Sequence, residues 1–256
     1  MSRTGRWPRW VAGGAATILL LVALAWGPIE VGLRAPSPSP VSEPQVWAHR
    51  GYHERAPENS LDALRAAFSG GAPGVELDLH YLPESSTFLV AHDAPQGASD
   101  GDALRLREVF DALGPAGYFW LDLKNLTPEN VETVVPRLVE VVTEAGVADL
   151  VFVEVSGLGV ARAMTGAGLR TIYSVVNPYR LGLLARWRTW LYYSVVAATT
   201  DIEGWSVEAT LVDRPFLARF GRRPLFVYTV NEREEVERWL DTEPIAVVLS
   251  DRPHWR

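Results

Sequence analysis

The feature that most constrains the fold is a repeated alternation. Eight short apolar, β-branched or aromatic runs occur at 46–49, 75–79, 118–123, 150–155, 169–175, 202–206, 225–230 and 245–249. Amphipathic stretches at 61–68, 104–113, 128–145, 158–166, 209–220 and 232–240 fall between most of them. Parallel strands need long crossovers, and helices of this length supply them. Eight such units predict a compact (β/α)8 barrel. An open doubly wound sheet would carry a glycine-rich phosphate turn after its first strand. Here that strand runs into His49-Arg50-Gly51, with no G-x-G-x-x-G. The run 88–92 reads as the return strand of a small hairpin. Thr127-Pro128 reads as an N-cap followed by proline at the first helical position, and Asn231 with Glu234 has capping-box spacing.

The barrel occupies residues 45–256. Residues 1–34 form a different kind of segment, and 35–44, APSPSPVSEP, read as an extended Pro/Ser linker. The run 11–26 is uncharged, preceded by three arginines and flanked by Trp7, Trp10 and Trp26. Two readings are open. One is a single-pass signal anchor, with the arginines in the cytoplasm and the barrel outside the cell membrane. The other is a signal peptide cleaved after Ala23-Leu24-Ala25, giving a secreted protein. Hydrophobic residues make up 48% and charged residues 21% of the 256, which excludes a disordered chain. The single long apolar run excludes a multi-span membrane protein, and the absence of cysteine excludes disulfides and thiolate sites. A net charge of −7 argues against nucleic-acid binding. No obligate protein partner is evident. Residues 180–200, rich in aromatics and free of acids, read either as a barrel helix buried on one face or as a surface resting on lipid.

Chemistry in such barrels is placed at the C-terminal ends of the strands. Polar residues there are His49 and Arg50 on the first strand, Glu76 and Asp78 on the second, Asp122 and Lys124 on the third, and Glu154 on the fourth; His92 closes the hairpin. Glu76 and Asp78 alternate with apolar Val75, Leu77 and Leu79, so both acids face the interior. Asp122 and Lys124 alternate in the same way. Buried carboxylates repel one another and lose hydration unless neutralised. A divalent cation, Mg²⁺ or Ca²⁺, held by Glu76, Asp78 and Asp122 is one solution; a buried salt-bridge cluster is the other. His49 and His92 suit general base and acid roles, and Arg50 and Lys124 suit phosphate oxygens. Glu154 is open between reaching the metal or its water and an ion pair. Asn231 reads as a helix cap, Asp251 as fixing the final turn, and His53, His80 and His254 as loop or surface residues.

The ordered set Ala48-His49-Arg50-Gly51, Pro57-Glu58-Asn59-Ser60, Glu76-Leu77-Asp78 and Ala91-His92-Asp93 resembles the glycerophosphodiester phosphodiesterase family, of the PLC-like phosphodiesterase barrels. Tyr228-Thr229-Val230-Asn231 and Ser250-Asp251-Arg252-Pro253 are similar to its later motifs, so the resemblance covers about 46–253. It implies a TIM barrel and metal-dependent hydrolysis of a phosphodiester, soluble or lipid, to an alcohol and glycerol 3-phosphate. His49 and His92 would be the acid/base pair, Arg50 the phosphate clamp, Glu76 and Asp78 metal ligands and Lys124 a phosphate contact. Glu58 would support the site or cap the helix that starts at Asn59. Three departures stand out: Asp122 replaces the family's usual glutamate, Tyr228 its usual tryptophan, and the segment after His92 is short. Asp122-Leu123-Lys124 also resembles the related sphingomyelinase D and phospholipase D barrels, so lysolipid cleavage at a membrane is the alternative activity. A non-catalytic barrel that binds phosphate or lipid head groups is the third.

Overall fold

The computed structural model describes residues 26–34, 37–94 and 103–255. The apolar run read as an anchor or signal lies, apart from Trp26, outside the described residues. Among those residues no helix is long and apolar enough to cross a membrane.

The strands are β1 (Gln45–Ala48), β2 (Gly74–Leu82), β3 (Thr87–Val90), β4 (Tyr118–Leu123), β5 (Val151–Val155), β6 (Arg170–Val175), β7 (Gly204–Glu208), β8 (Leu225–Tyr228) and β9 (Ile245–Ser250). All except β3 are parallel neighbours, and β1 pairs with both β2 and β9, closing an eight-stranded barrel. β3 turns back antiparallel onto β2, as the hairpin reading expects. The helices α1 (Leu61–Ser69), α2 (Leu106–Leu113), α3 (Val131–Glu144), α4 (Leu158–Gly166), α5 (Leu183–Thr199), α6 (Arg214–Phe220) and α7 (Arg233–Leu240) alternate with the strands.

Period-two alternation sorts the strand residues into two cores. Outward Val75, Leu77 and Leu79 join the large core beneath the helices. Inward Trp47, Trp120, Phe152, Ile172 and Phe226 fill the barrel axis. The Trp120 and Phe226 rings meet edge to face with centroids 5.4 Å apart, a favoured aromatic geometry. Gly74 is what admits Trp47: a Cβ there would lie 2.5 Å from the indole ring. Gly74→Ala is therefore expected to cost about 1–3 kcal/mol through overpacking, read as a lower urea midpoint. An unchanged midpoint would mean that Trp47 is free to yield.

Three local readings are corrected. α3 starts at Val131, not at Pro128, because the Asn130 side chain accepts from Thr127 N (2.8 Å) and donates to Asn125 O (2.8 Å), holding 125–130 as a turn. The stretch 209–220 is a 3₁₀ turn followed by α6, whose N-cap Asp213 accepts from Phe216 N at 2.8 Å. The Asn231/Glu234 capping box does not form: Glu232 occupies the N-cap of α7 and Asn231 is engaged elsewhere.

The packed body also reaches further upstream than residue 45. Residues 26–34 are helical, with Leu33 buried in the main core and Glu30 paired to Arg219 at 3.2 Å. Val41, within the Pro/Ser stretch, is buried with the axial aromatics, and Arg170 donates to Pro40 O at 3.2 Å.

Candidate active site

Register sets the acids side by side. Asp78 on β2 pairs with Asp122 on β4, which pairs with Glu154 on β5. They form a row above the axial aromatics, at the C-terminal end of the barrel. His49, Arg50, Glu76, Asp78, Asp122, Lys124 and Glu154 line one cavity of about 420 Å³, closed on other sides by Trp120, Ser174 and Tyr228.

Arg50 is placed by an unusual turn. It has φ 54°, left-handed and uncommon for a residue with a side chain. Gly51 follows at φ 81°, where a Cβ would meet the Ala63 backbone at 2.6 Å. This turn lets Arg50 N donate to Glu76 Oε2 at 3.0 Å, while the guanidinium reaches Glu58 at 3.1 Å and Asp78 at 2.9 Å. Glu58 thus supports the site through Arg50. It is not the helix cap: Ser60 caps α1, accepting from Ala63 N at 3.2 Å. Asn59, also left-handed at φ 57°, donates to Asp78 Oδ2 at 2.8 Å and accepts from Asp78 N at 3.0 Å. Lys124 Nζ lies 2.6 Å from Asp78 Oδ1 and also contacts Asp122.

Ligand oxygens of Glu76, Asp78 and Asp122 fall within 4.8 Å of one another. Burial, then repulsion from Asp78 and Asp122, pushes the Glu76 carboxyl well above its ordinary range. Burial works the same way on Asp78, but Lys124, Asn59 and Arg50 outweigh it and hold that carboxyl below its usual value. Burial and then the Asp122 carboxylate push Glu154 up to about 7. Among the described residues Glu154 makes no ion pair, and it stands outside the acid trio; its Oε2 accepts from Trp120 Nε1 at 2.8 Å. Four carboxylates share this cavity with Arg50 and Lys124. Burial and mutual repulsion disfavour ionising Glu76 and Glu154, a cost that a divalent cation would relieve, and an all-oxygen donor set suits Mg²⁺ or Ca²⁺.

His49 has a partner that the linear sequence conceals. Its Nδ1 lies 2.7 Å from Asp251 Oδ1. Donating there leaves the neutral ring's Nε2 as an acceptor, 3.8 Å from Glu76 Oε2. Asp251 is itself gripped: His53 Nε2 is 3.1 Å from Oδ1 and Asn231 Nδ2 donates to Oδ2 at 2.7 Å. Burial opposes ionisation of Asp251, yet these partners, His49 foremost, hold it far below the usual carboxylate range. Asn231 and His53 are thus supports of this carboxylate rather than a cap and a free surface residue. His92 stands apart. Its side chain is exposed and bonded to Asp93 at 2.9 Å, outside the cavity wall, and its carbonyl is held by the buried His80 at 3.1 Å.

The pattern described as the glycerophosphoryl diester phosphodiesterase family matches residues 49–195. The chain belongs to this family. It is 29% identical over 192 residues to glycerophosphodiester phosphodiesterase 1 of Rattus norvegicus, covering 70% of this chain and 55% of that protein. The chain thus spans about half the length of the curated relatives it matches first. Among solved structures it is similar to a glycerophosphodiester phosphodiesterase from Parabacteroides distasonis (TM-score 0.64, 18% identity, 82% of this chain and 94% of that one). A phosphodiesterase from Oleispira antarctica, in complex with its product sn-glycerol-3-phosphate, gives TM-score 0.64 at 19% identity, over 83% and 94% of the two chains. At these identities the likeness concerns the barrel. Membership of the family accounts for the region from His49 through α4 and most of α5, and so for every acid in the cavity; Asp251 lies beyond the matched residues.

Proposed function

We propose that the protein hydrolyses glycerophosphodiesters to an alcohol and glycerol 3-phosphate. The observation that carries this reading is the clustering of Glu76, Asp78 and Asp122 oxygens within 4.8 Å of one another, set beside an Asp251-braced His49 in a chain of this family. The product held by the Oleispira antarctica protein is in keeping with it. Glu76, Asp78 and Asp122 would hold a divalent cation, which when bound neutralises charge on phosphate oxygens and polarises phosphorus. Arg50 and Lys124 add fixed positive charge to the same wall and orient the diester. His49 takes a proton at Nε2 while Asp251 stabilises the resulting imidazolium. His92, at the rim, is the second proton-transfer group, acting on the leaving alcohol. The run 11–26 holds the barrel outside the cytoplasm as an anchor, or is removed as a signal peptide.

The test is chelation of the purified full chain. Exhaustive EDTA treatment is expected to abolish release of glycerol 3-phosphate from glycerophosphocholine, with recovery on adding Mg²⁺ or Ca²⁺. Undiminished turnover after chelation would sink the metal assignment. Binding of the diester without turnover in any metal would leave a non-catalytic barrel.

A further inference from the structure

Eight large hydrophobic side chains are exposed among the described residues; seven lie between Val176 and Tyr192, and the eighth, Val31, is on the 26–34 helix. Such clustering is unlike the scattered exposed apolar residues of an ordinary surface. α5 is divided along its length. Its C-terminal half is buried through Tyr193, Val196 and Ala197, whereas Leu183, Leu184 and Trp187 at its start are 77%, 72% and 63% exposed. From Val176 to Thr200 there are three arginines and no acid. Leu and Trp interleaved with arginine, without acids, match the boundary between acyl chains and headgroups.

Two further observations say what covers this face. A groove of about 590 Å³ runs between α5 and the 26–34 helix, lined by Leu183, Trp187 and Trp190 on one side and Trp26 on the other. Trp26 is the last residue of the uncharged run 11–26. In sequence, the uncharged run therefore ends at this groove. The face also adjoins the catalytic mouth. Residues 176–182 follow β6 at the same end of the barrel as the acids. Ser174 lines both the catalytic cavity and a second groove of about 480 Å³ formed with Leu181 and Tyr192.

We propose that the 176–192 face seats the barrel on a phospholipid bilayer, with the cavity mouth at the headgroup layer and the diester drawn from the membrane. Delivery of the diester rests on the hydrolase reading; the seating does not. Because the chain lacks cysteine, Leu184→Cys accepts a single nitrobenzoxadiazole label. Asp62→Cys on α1, whose preceding strand lies across the barrel from β6, is the control; Asp62 is 80% exposed. The full chain is reconstituted in phosphatidylcholine/phosphatidylglycerol vesicles. The Leu184 label is expected to emit to the blue of the Asp62 label, to lose most of its emission to lipid-borne nitroxides and to resist aqueous iodide. Equal iodide quenching at the two sites overturns the seating. Protection at Leu184 without nitroxide quenching also overturns it, and points to a second copy of the chain on this face.

The triple variant Leu183→Glu/Leu184→Glu/Trp187→Glu tests delivery. It is expected to lose activity on lysophosphatidylcholine in vesicles while keeping that on glycerophosphocholine. Equal activity of variant and wild type on both substrates overturns delivery. Absence of activity on either substrate in the wild type sinks the hydrolase reading, and delivery with it, while the quenching result still decides the seating.

Discussion

Asp251→Asn is expected to lower kcat by about 10²–10⁴-fold with KM little changed. The expectation rests on the His49 Nδ1 to Asp251 Oδ1 contact of 2.7 Å. A carboxylate accepts from Nδ1 and so fixes the tautomer that leaves Nε2 free toward the cavity. An asparagine amide offers a neutral acceptor or a donor, and the imidazolium formed on proton transfer loses its counter-charge. His49→Ala should be equally inactive, and the double variant little worse than either, because the pair acts as one unit. A purely structural Asp251, one that only shapes the final turn, would leave kcat in place even where the melting temperature falls. Asp251 also sets a pH dependence of stability. Its folded carboxyl is held below the ordinary value, so it stabilises the fold fully above about pH 4, the unfolded value, and progressively less as pH falls below that. The gap in melting temperature between wild type and Asp251→Asn should close over that acid window. A gap that persists there would contradict the ionised, braced carboxylate.

Glu76→Gln is expected to abolish hydrolysis and yet to make the metal-free protein more stable. Glu76 is only 3% exposed and sits between Asp78 and Asp122. Its folded carboxyl is raised above the unfolded value, so its favourable contribution is complete below the unfolded value and declines as pH rises through the folded one. At neutral pH the metal-free wild type therefore bears the cost of a buried carboxyl that is either ionised beside Asp78 and Asp122 or kept protonated, a cost that glutamine lacks, while the amide oxygen still accepts from Arg50 N. A gain of about 1 kcal/mol corresponds to roughly 2–4 °C in a domain of this size. Adding Mg²⁺ or Ca²⁺ should raise the melting temperature of the wild type and leave the variant almost unmoved, by linkage to the bound state. A variant less stable than the wild type without metal, or one that responds equally to the cation, would count against a metal seat here. The site gives up stability to keep its acids together, a familiar trade at functional centres.

How much of this was legible beforehand depended on whether the signal was periodic or paired. Strand positions followed from period-two patterns: the acids on β2 and β4 were placed on the inner face because their neighbours Val75, Leu77, Leu121 and Leu123 are apolar. Burial behind helices leaves few other patterns open to a strand. Local capping was harder to read. Asn231 has the right spacing to cap α7, but the Asp251 backbone and carboxylate claim its side chain at 2.8 and 2.7 Å. That competition arises only once β9 returns beside β1, pairing Ser250 with Ala48. The His49–Asp251 contact spans 202 positions for the same reason, and no run of residues announces it. Asn59 was within reach: it stands in the Pro57-Glu58-Asn59 motif, though what it grips becomes visible only in three dimensions. His92 shows the converse, a histidine well marked in sequence that the fold leaves at the rim.

The aromatic column on the barrel axis has a consequence for traffic. Trp47, Trp120, Phe152 and Phe226 are each 0–1% exposed, and Val41 is buried with them. They seal the lower end, so the catalytic cavity is a blind alley rather than a passage. In the proposed hydrolysis, substrate, water and both products would share one doorway. Arg50 and Lys124 line that cavity, so in the proposed hydrolysis the phosphoryl group would be held inside it. Both products of that reaction would then leave along the path by which the next diester arrives.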